Sequence, residues 1–337
     1  MLNDVVALYS ASPTWFVGSV FVLGLLMGSF LNVVIYRLPI MLERQWRAEA
    51  ALTGSSASAT NAAAPTQPAP TQPGAAAPTR ELPGAPPSST PSSAPPEHPE
   101  HFGLITPRSA CPHCRAPIKA WQNIPLISWL ALRGRCAACR GPISVRYPLI
   151  ELATGLFSAA VAWHFGPGAS AACALLLTWS LIALTGIDID HQLLPDAITL
   201  PLLWAGLLAA VLIGPVSGAG IPVSPQDAIL GAAAGYVSLW AVYHAFRLIT
   251  GKEGMGYGDF KLFAALGAWL GWKLLPLIIL LSAATGAVLG IALIVLRGRD
   301  RAAPLPFGPY LAAAGWLALL YGDELVSGYL RLSGLRH

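Results

Sequence analysis

Two stretches of this chain place carboxylates where they could do hydrolytic chemistry. Gly254-Met255-Gly256-Tyr257-Gly258-Asp259 sets an aspartate after a glycine-rich turn and directly before an apolar run. Asp188-Ile189-Asp190, with His191 and Asp196 beyond it, closes another apolar run. Peptide hydrolysis by carboxylates needs one ionised group to activate water and one protonated group to donate to the carbonyl oxygen. Two aspartates held close cannot both ionise, so they share a proton and titrate as a pair. The 71 residues between Asp188 and Asp259 are no obstacle if both helix ends lie at one depth. The glycines at 254, 256 and 258 suit backbone at positive φ and close approach by an extended peptide. Plainer roles exist for each acid: Asp190, His191 and Asp196 as loop residues, and Asp196 or Asp259 as the N-cap of the segment that follows.

A second constellation is Cys111-Pro112-His113-Cys114 with Cys136-Ala137-Ala138-Cys139. Two C-x-x-C knuckles supply four thiolates for a tetrahedral zinc ion, and the metal then stabilises a unit too small for a core of its own. Two disulfides are the alternative, disfavoured in a reducing compartment. A closed four-thiolate site leaves no open position for water, which makes the zinc structural. His113 is surplus to the ligand count, and Cys173 reads as a small packing residue within a span. Around the knuckles lie Arg108, Arg115, Lys119, Arg133, Arg135, Arg140 and Arg146. They satisfy the positive-inside rule without invoking nucleic acid, which is not expected as a partner.

The elements that must position these groups are membrane helices. Of 337 residues 55% are hydrophobic and 11% charged, against about 25% charged in ordinary soluble domains, and mean hydropathy is +0.59. Apolar runs predict eight spans, at about 15–36, 149–165, 169–187, 197–213, 228–249, 260–270, 274–296 and 307–321. The sixth is short and suggests a tilted, half-buried or re-entrant segment. Residues 37–147 carry 11 of the 20 Lys/Arg. Alternate threading puts them on one side with Arg247, Lys252, Arg297, Arg299 and Arg301, and that side is cytoplasmic. The same parity brings Asp188 and Asp259 there. The first span lacks a basic n-region and reads as a retained helix, N-terminus out, rather than a cleaved signal.

Four regions follow: 1–36, a first transmembrane helix; 37–103, a cytoplasmic segment; 104–148, a four-cysteine zinc unit; and 149–337, a transmembrane peptidase domain. Within the second, about 50–99 holds 12 of the 30 prolines. Its Ala/Pro/Ser/Thr composition predicts a disordered linker, with docking of a Pro-rich motif the lesser alternative. Residues 214–225 read as a plain loop.

Gly28-Ser29-Phe30-Leu31-Asn32 through Tyr36-Arg37-Leu38-Pro39, the paired C-x-x-C, Asp188 to Asp196, Gly254 to Asp259, and Pro304 to Tyr310 occur in that order. In this the chain resembles the bacterial type IV prepilin peptidases, the leader peptidase/N-methyltransferases of the G-x-G-D aspartyl protease class. The Ala/Pro-rich insert has no counterpart in those motifs. The resemblance implies an all-α polytopic membrane protein of about eight transmembrane helices with a small cytoplasmic zinc-ribbon-like insertion, in the bacterial inner membrane. It implies Asp188 and Asp259 as catalytic, with Asp190, Asp196, Gly256 and Gly258 supporting. Its expected reaction is cleavage of the basic leader from type IV prepilins and type II secretion pseudopilins. N-methylation of the new terminus by S-adenosylmethionine follows. No Rossmann glycine fingerprint marks the methyl-donor site, which stays unassigned. Polar contacts for it are sought near the zinc unit and Asn32–Arg37, with Glu43, Glu49 and Glu151 as candidates, each also readable as solvated or interfacial. Besides substrate, membrane lipid is the expected partner. A transporter with a carboxylate proton relay would want acids at midplane, and a non-catalytic assembly scaffold would not need both aspartate motifs.

Overall fold

The computed structural model describes residues 12–62, 102–215, 221–252, 254–297 and 306–334. Among them the chain is helical, its only β-structure being two isolated bridges. The helices are α1 (Pro13–Ala62), a short α2 (Ile127–Ala131), α3 (Arg146–Phe165), α4 (Ala169–His191), α5 (Asp196–Leu212), α6 (Pro225–Thr250), α7 (Tyr257–Leu270), α8 (Leu275–Arg297) and α9 (Gly308–Leu332). Each predicted span coincides with one of the eight longer helices. Five stretches are long and apolar enough to cross a membrane: Pro13–Ala50, Arg146–Phe165, Ala169–His191, Pro225–Thr250 and Trp272–Leu296, while α5 is apolar but shorter. This is an all-α, multi-pass membrane protein.

Contacts divide the chain into two units, one of Met1–Pro39 with Arg108–His337, the other of Ile40–Pro107. The four-cysteine segment therefore belongs with the membrane helices. Helix α1 continues beyond Pro39 to Ala62, into the first part of the stretch read as a linker. No proline follows Pro39 until Pro65, and the intervening sequence is rich in alanine, the strongest helix former. The remainder of that stretch, 63–99, lies outside the described residues, as do Arg299 and Arg301. In the second unit, Arg44 stacks its guanidinium over Phe102 at 4.6 Å.

Small residues set the packing of the first unit. A Cβ on Gly24 would lie 2.5 Å from Ser158 Oγ, and one on Gly28 would lie 2.7 Å from the Glu151 Cα. This G-x-x-x-G spacing lets α1 and α3 approach backbone to backbone, as membrane helices do where no hydrophobic force drives association. Indole donors find partners across helices: Trp179 Nε1 donates to Ser158 Oγ at 2.9 Å and Trp316 Nε1 to Thr178 Oγ1 at 3.2 Å.

The sixth span is not half-buried but almost wholly enclosed. From Asp259 to Leu270, α7 is buried throughout except at Lys261. It is held by α5, α6 and α9. Trp269 Nε1 donates to the Leu202 carbonyl at 2.8 Å, and Gly206 faces the Trp269 ring. A Cβ on Gly231 of α6 would fall 2.1 Å from the Gly267 carbonyl oxygen, and one on Gly315 of α9 would fall 2.6 Å from Leu266. A helix sheathed by protein has no lipid face of its own to cover, so fourteen residues suffice. A cavity of about 230 Å³, lined in part by His164, Asp227, Lys273 and Glu324, adjoins Gly271 at the far end of α7 from Asp259. None of the sequence-predicted site residues lines it.

Candidate active site

Asp188 occupies the last turn of α4, which runs on to His191 before Gln192 closes it in the left-handed conformation, its N–H on the Asp188 carbonyl at 2.9 Å. Asp259 is the third residue of α7. Both carboxylates are buried, and they lie near enough for the charge of one to act on the other. Each faces a glycine amide. The Gly308 N–H, at the start of α9, donates to Asp188 Oδ2 at 3.0 Å. The Gly256 amide lies beside the Asp259 carboxylate. These helix-terminal N–H groups lack intrahelical partners and are ready-made donors to carboxylate oxygen.

Leu194 joins the two halves. A Cβ on Gly258 would stand 2.8 Å from Leu194 Cβ, and one on Gly308 would stand 2.6 Å from Asp188 Oδ2 and 3.2 Å from Leu194 Cδ2. Sequence reasoning assigned no role to Leu194 or Gly308. Both sat inside motifs already singled out, and the signal for Gly308 was a glycine at a helix start between two prolines.

The glycine-rich turn works differently from the expectation. None of Gly254, Gly256 and Gly258 has positive φ; Gly256 stands at −81°. Space is what requires them: Gly254 lies against the Phe246 ring, where a Cβ would be 2.8 Å away, and Gly258 against Leu194. At Gly256 a Cβ would meet only Asp259 Oδ2, at an ordinary 3.8 Å. Aromatic rings back the turn, with Tyr257 at 5.5 Å from both Tyr243 and Phe260.

Asp190 and Asp196 are ion-paired. Asp190 takes the Arg146 guanidinium at 2.6 Å, tying the start of α3 to the end of α4, and Arg146 also reaches the Gly186 carbonyl. Asp196 binds Lys261 Nζ at 2.7 Å, tying α5 to α7 two residues past Asp259. Neither Asp196 nor Asp259 is an N-cap: Pro195 and Gly256 hold those positions, without side-chain caps. Asp196 is the first helical residue, and its carboxylate turns to the lysine. Asp190 and His191 are helical, not loop. Lys261 thus joins the arrangement, a residue whose sequence neighbourhood gave no sign of its partner.

The four cysteines converge, their Sγ atoms all within 4.8 Å of one another and Cys111 and Cys139 at 3.8 Å. Thiolates 2.3 Å from a tetrahedral zinc would be about 3.8 Å apart, so the donor set fits that ion. The knuckles are near copies, Cys-x-x-Cys-Arg followed by a small residue, Pro and Ile. In each, the first cysteine's N–H bonds five residues on (Ala116 at 3.0 Å, Gly141 at 2.8 Å), and the arginine has φ of 58°. Backbone amides of Cys114 and His113 lower the Cys111 thiol to about 6. At Cys139 the Gly141 amide pulls the other way, but desolvation and the neighbouring sulfurs push the thiol up to about 11. His113 is exposed, and Cys173 is buried within α4.

Glu151 is not a solvated side chain. It is buried, accepts the Leu126 N–H at 2.9 Å and bonds Ser29 of α1. Asn32 donates to the Tyr147 carbonyl at 3.1 Å, and Glu43 pairs with Arg47. Arg37 is buried, and Glu49 has a partner.

Comparison with known proteins agrees with this geometry. Residues 22–165 match the bacterial peptidase A24 N-terminal domain, and 175–291 match the type IV leader peptidase family. The chain belongs to the type IV leader peptidase family. Among its relatives is the prepilin leader peptidase/N-methyltransferase of Stutzerimonas stutzeri, 49% identical over 326 residues, covering 97% of this chain and 98% of the relative. The protein of that name from Aeromonas hydrophila is 52% identical over 318 residues, covering 94% and 95%. That from Pseudomonas aeruginosa is 49% identical over 329 residues, covering 97% and 98%. No solved structure matches the chain. The two family models divide the chain close to where chemistry divides it. The first ends with α3 and contains the cysteines, and the second holds both aspartates.

Proposed function

We propose that this leader peptidase family member cleaves the basic leader from type IV prepilins and type II secretion pseudopilins, then N-methylates the exposed N-terminal residue. The observation that carries the reading is the meeting of two buried aspartates from α4 and α7, each faced by a glycine amide. The site lies on the cytoplasmic face of the bacterial inner membrane, supported by the positive charge of 37–147 on the same side of the threading.

In the cleavage step the dyad holds one proton between its members. The ionised aspartate takes a proton from water as the water oxygen bonds the scissile carbonyl carbon. The protonated aspartate donates to the carbonyl oxygen, giving a gem-diol. Collapse breaks the C–N bond, the amine leaves with a proton from the dyad, and a gem-diol hydroxyl gives its proton to the ionised aspartate, which restores the shared proton. Gly308 and Gly256 hold the carboxylates in register, Leu194 fixes the spacing of the two segments, and Arg146–Asp190 and Lys261–Asp196 lock the helix ends. Cys111, Cys114, Cys136 and Cys139 would hold a zinc ion that closes the two knuckles as a structural ion.

S-adenosylmethionine, when bound, supplies an electrophilic methyl group to the new amine. Asn32, Glu43 and Glu151 each hold a protein partner already, and none of them offers that cofactor an unpaired polar group. A proton-relay transporter is disfavoured because both buried aspartates sit at one end of the helices rather than at midplane.

Mass spectrometry of a coexpressed prepilin tests both activities together. Asp188→Asn and Asp259→Asn should each leave the precursor at full length while the enzyme accumulates in the membrane with its zinc. Mature pilin from either variant would refute the dyad. Mature but unmethylated pilin from the wild type would remove the transferase half.

A further inference from the structure

The four-cysteine unit carries an apolar surface that its own fold leaves uncovered. Trp121, Ile124, Ile127 and Leu130 are 53%, 44%, 65% and 66% exposed, and α2 buries none of its residues. Exposure of four large side chains within ten residues is far from the scatter of single apolar groups that surfaces tolerate.

Three observations say what covers them. The first is depth. The Leu126 N–H, at the start of α2, bonds the carboxylate of Glu151. Glu151 lies five residues along the membrane helix α3 from its start at Arg146, or about 7.5 Å at the helical rise. Arg146 itself is level with Gly186 and Asp190 at the end of α4. The turn into α2 therefore dips beyond the helix ends, to a level where Leu149 and Leu152 of α3 are also exposed. The second is charge. Residues 104–148 contain seven Arg/Lys and not one Asp or Glu. Lys119 and Arg133, which flank the apolar stretch, are exposed and have no carboxylate partner among the described residues. The third concerns the rest of the chain. Residues 63–101 hold a single large apolar side chain, Leu82, too little to cover such a patch.

We infer that Trp121–Leu130 is a lipid-facing wedge, seated at the headgroup–acyl boundary of the leaflet on the aspartates' side and flanked by cations that bind anionic phospholipid. An aromatic ring with aliphatic neighbours and a basic rim is the chemistry that such a boundary selects. The Glu151–Leu126 bond fastens the wedge to α3. This inference rests on the membrane placement of α3 and is independent of which reaction the aspartates perform.

The test uses the full chain in vesicles of phosphatidylcholine with phosphatidylglycerol as the anionic lipid. p-Benzoyl-phenylalanine at position 127 or 130 should form lipid adducts on irradiation, and the same group at exposed Ala137 in the second knuckle should not. Phosphatidylglycerol should be enriched in the adducts roughly fivefold to twentyfold over its bulk share. Lys119→Gln with Arg133→Gln should return the ratio to bulk. Adducts with a coexpressed prepilin in place of lipid would overturn the inference in favour of a substrate surface. Adduct ratios equal to bulk in the unsubstituted background would overturn it as well. Hydrogen exchange on the wild-type protein needs no substitution. Amides of 121–131 should slow when phosphatidylglycerol replaces part of the phosphatidylcholine, and unchanged exchange would count against the wedge.

Discussion

Three glycines around the aspartates look alike in sequence and differ sharply in what surrounds them. At Gly308 an added Cβ would meet Asp188 Oδ2 at 2.6 Å, and at Gly258 it would meet Leu194 at 2.8 Å. At Gly256 it would make an ordinary contact at 3.8 Å. Overpacking of this kind costs about 1–3 kcal/mol, and at Gly308 the cost falls on a carboxylate of the proposed dyad. Gly308→Ala should therefore lower prepilin cleavage by about a hundredfold or more, while Gly256→Ala stays within about threefold of wild type. A time course of leader removal in detergent ranks them, and the reverse order would mean that the amide contact at Asp188 is incidental. Gly258→Ala should be impaired and partly restored by Leu194→Gly, which removes the opposing Cβ. Failure of the double variant to exceed the single would show that Leu194 is not the obstacle. The aspartates themselves were legible because acids at the ends of apolar runs are rare and costly. Gly308 was not, since its role depends on a segment 120 residues away.

The short α7 is the element on which the site depends, because it carries Asp259 and is gripped on three sides. Gly231 and Gly267 bring α6 and α7 so close that a Cβ on either would lie 2.1 Å from the opposing carbonyl oxygen. Gly231→Ala should push the two helices apart and destabilise the fold by about 1–3 kcal/mol. A lower midpoint of thermal unfolding in detergent, with cleavage reduced in parallel, is the expected reading. An unchanged midpoint would mean that the contact carries little weight. The link from Glu151 to Leu126 is a second element-scale joint. Glu151→Gln keeps an acceptor but loses the charge, at a cost of about 1–2 kcal/mol. Exchange of the Leu126 amide should accelerate about tenfold or more, with zinc retained. Loss of zinc in that variant would instead tie Glu151 to the integrity of the knuckles. Helix positions followed from apolar runs, but the placement of α7 inside the bundle did not. Length alone cannot tell a fully enclosed helix from a half-buried one, and the decision comes from neighbours that supply glycine at the points of contact.

At the scale of the molecule, every residue assigned to chemistry or to zinc lies in the unit of Met1–Pro39 and Arg108–His337, and none in Ile40–Pro107. Deleting residues 65–95 should leave leader cleavage within about twofold of wild type, since composition gives that stretch little apolar surface to contribute to a fold. Unprocessed prepilin in cells carrying the deletion would show that the segment does more than connect. Elemental analysis belongs at this scale too: one zinc per chain is expected, falling below a tenth in Cys111→Ser with Cys139→Ser. Four readily alkylated thiols in the wild type would remove the metal.

By itself the sequence determined the class of the molecule. Apolar runs of bilayer length, a one-sided distribution of arginine and lysine, and two C-x-x-C pairs are properties of composition and spacing, and they survive without coordinates. It also singled out Asp188 and Asp259, because burial of an acid is expensive wherever the chain then folds. The tertiary structure alone decided what those acids touch. Glycine amides face both, Leu194 spaces them, Arg146 and Lys261 bind the acids beside them, and Glu151 is a buried strut rather than a solvated side chain. Apart from Gly256 beside Asp259, these contacts join residues 25 to 120 positions apart. Sequence spacing carries no information about such distances until helices have packed, and packing here is set by where glycine permits backbones to meet.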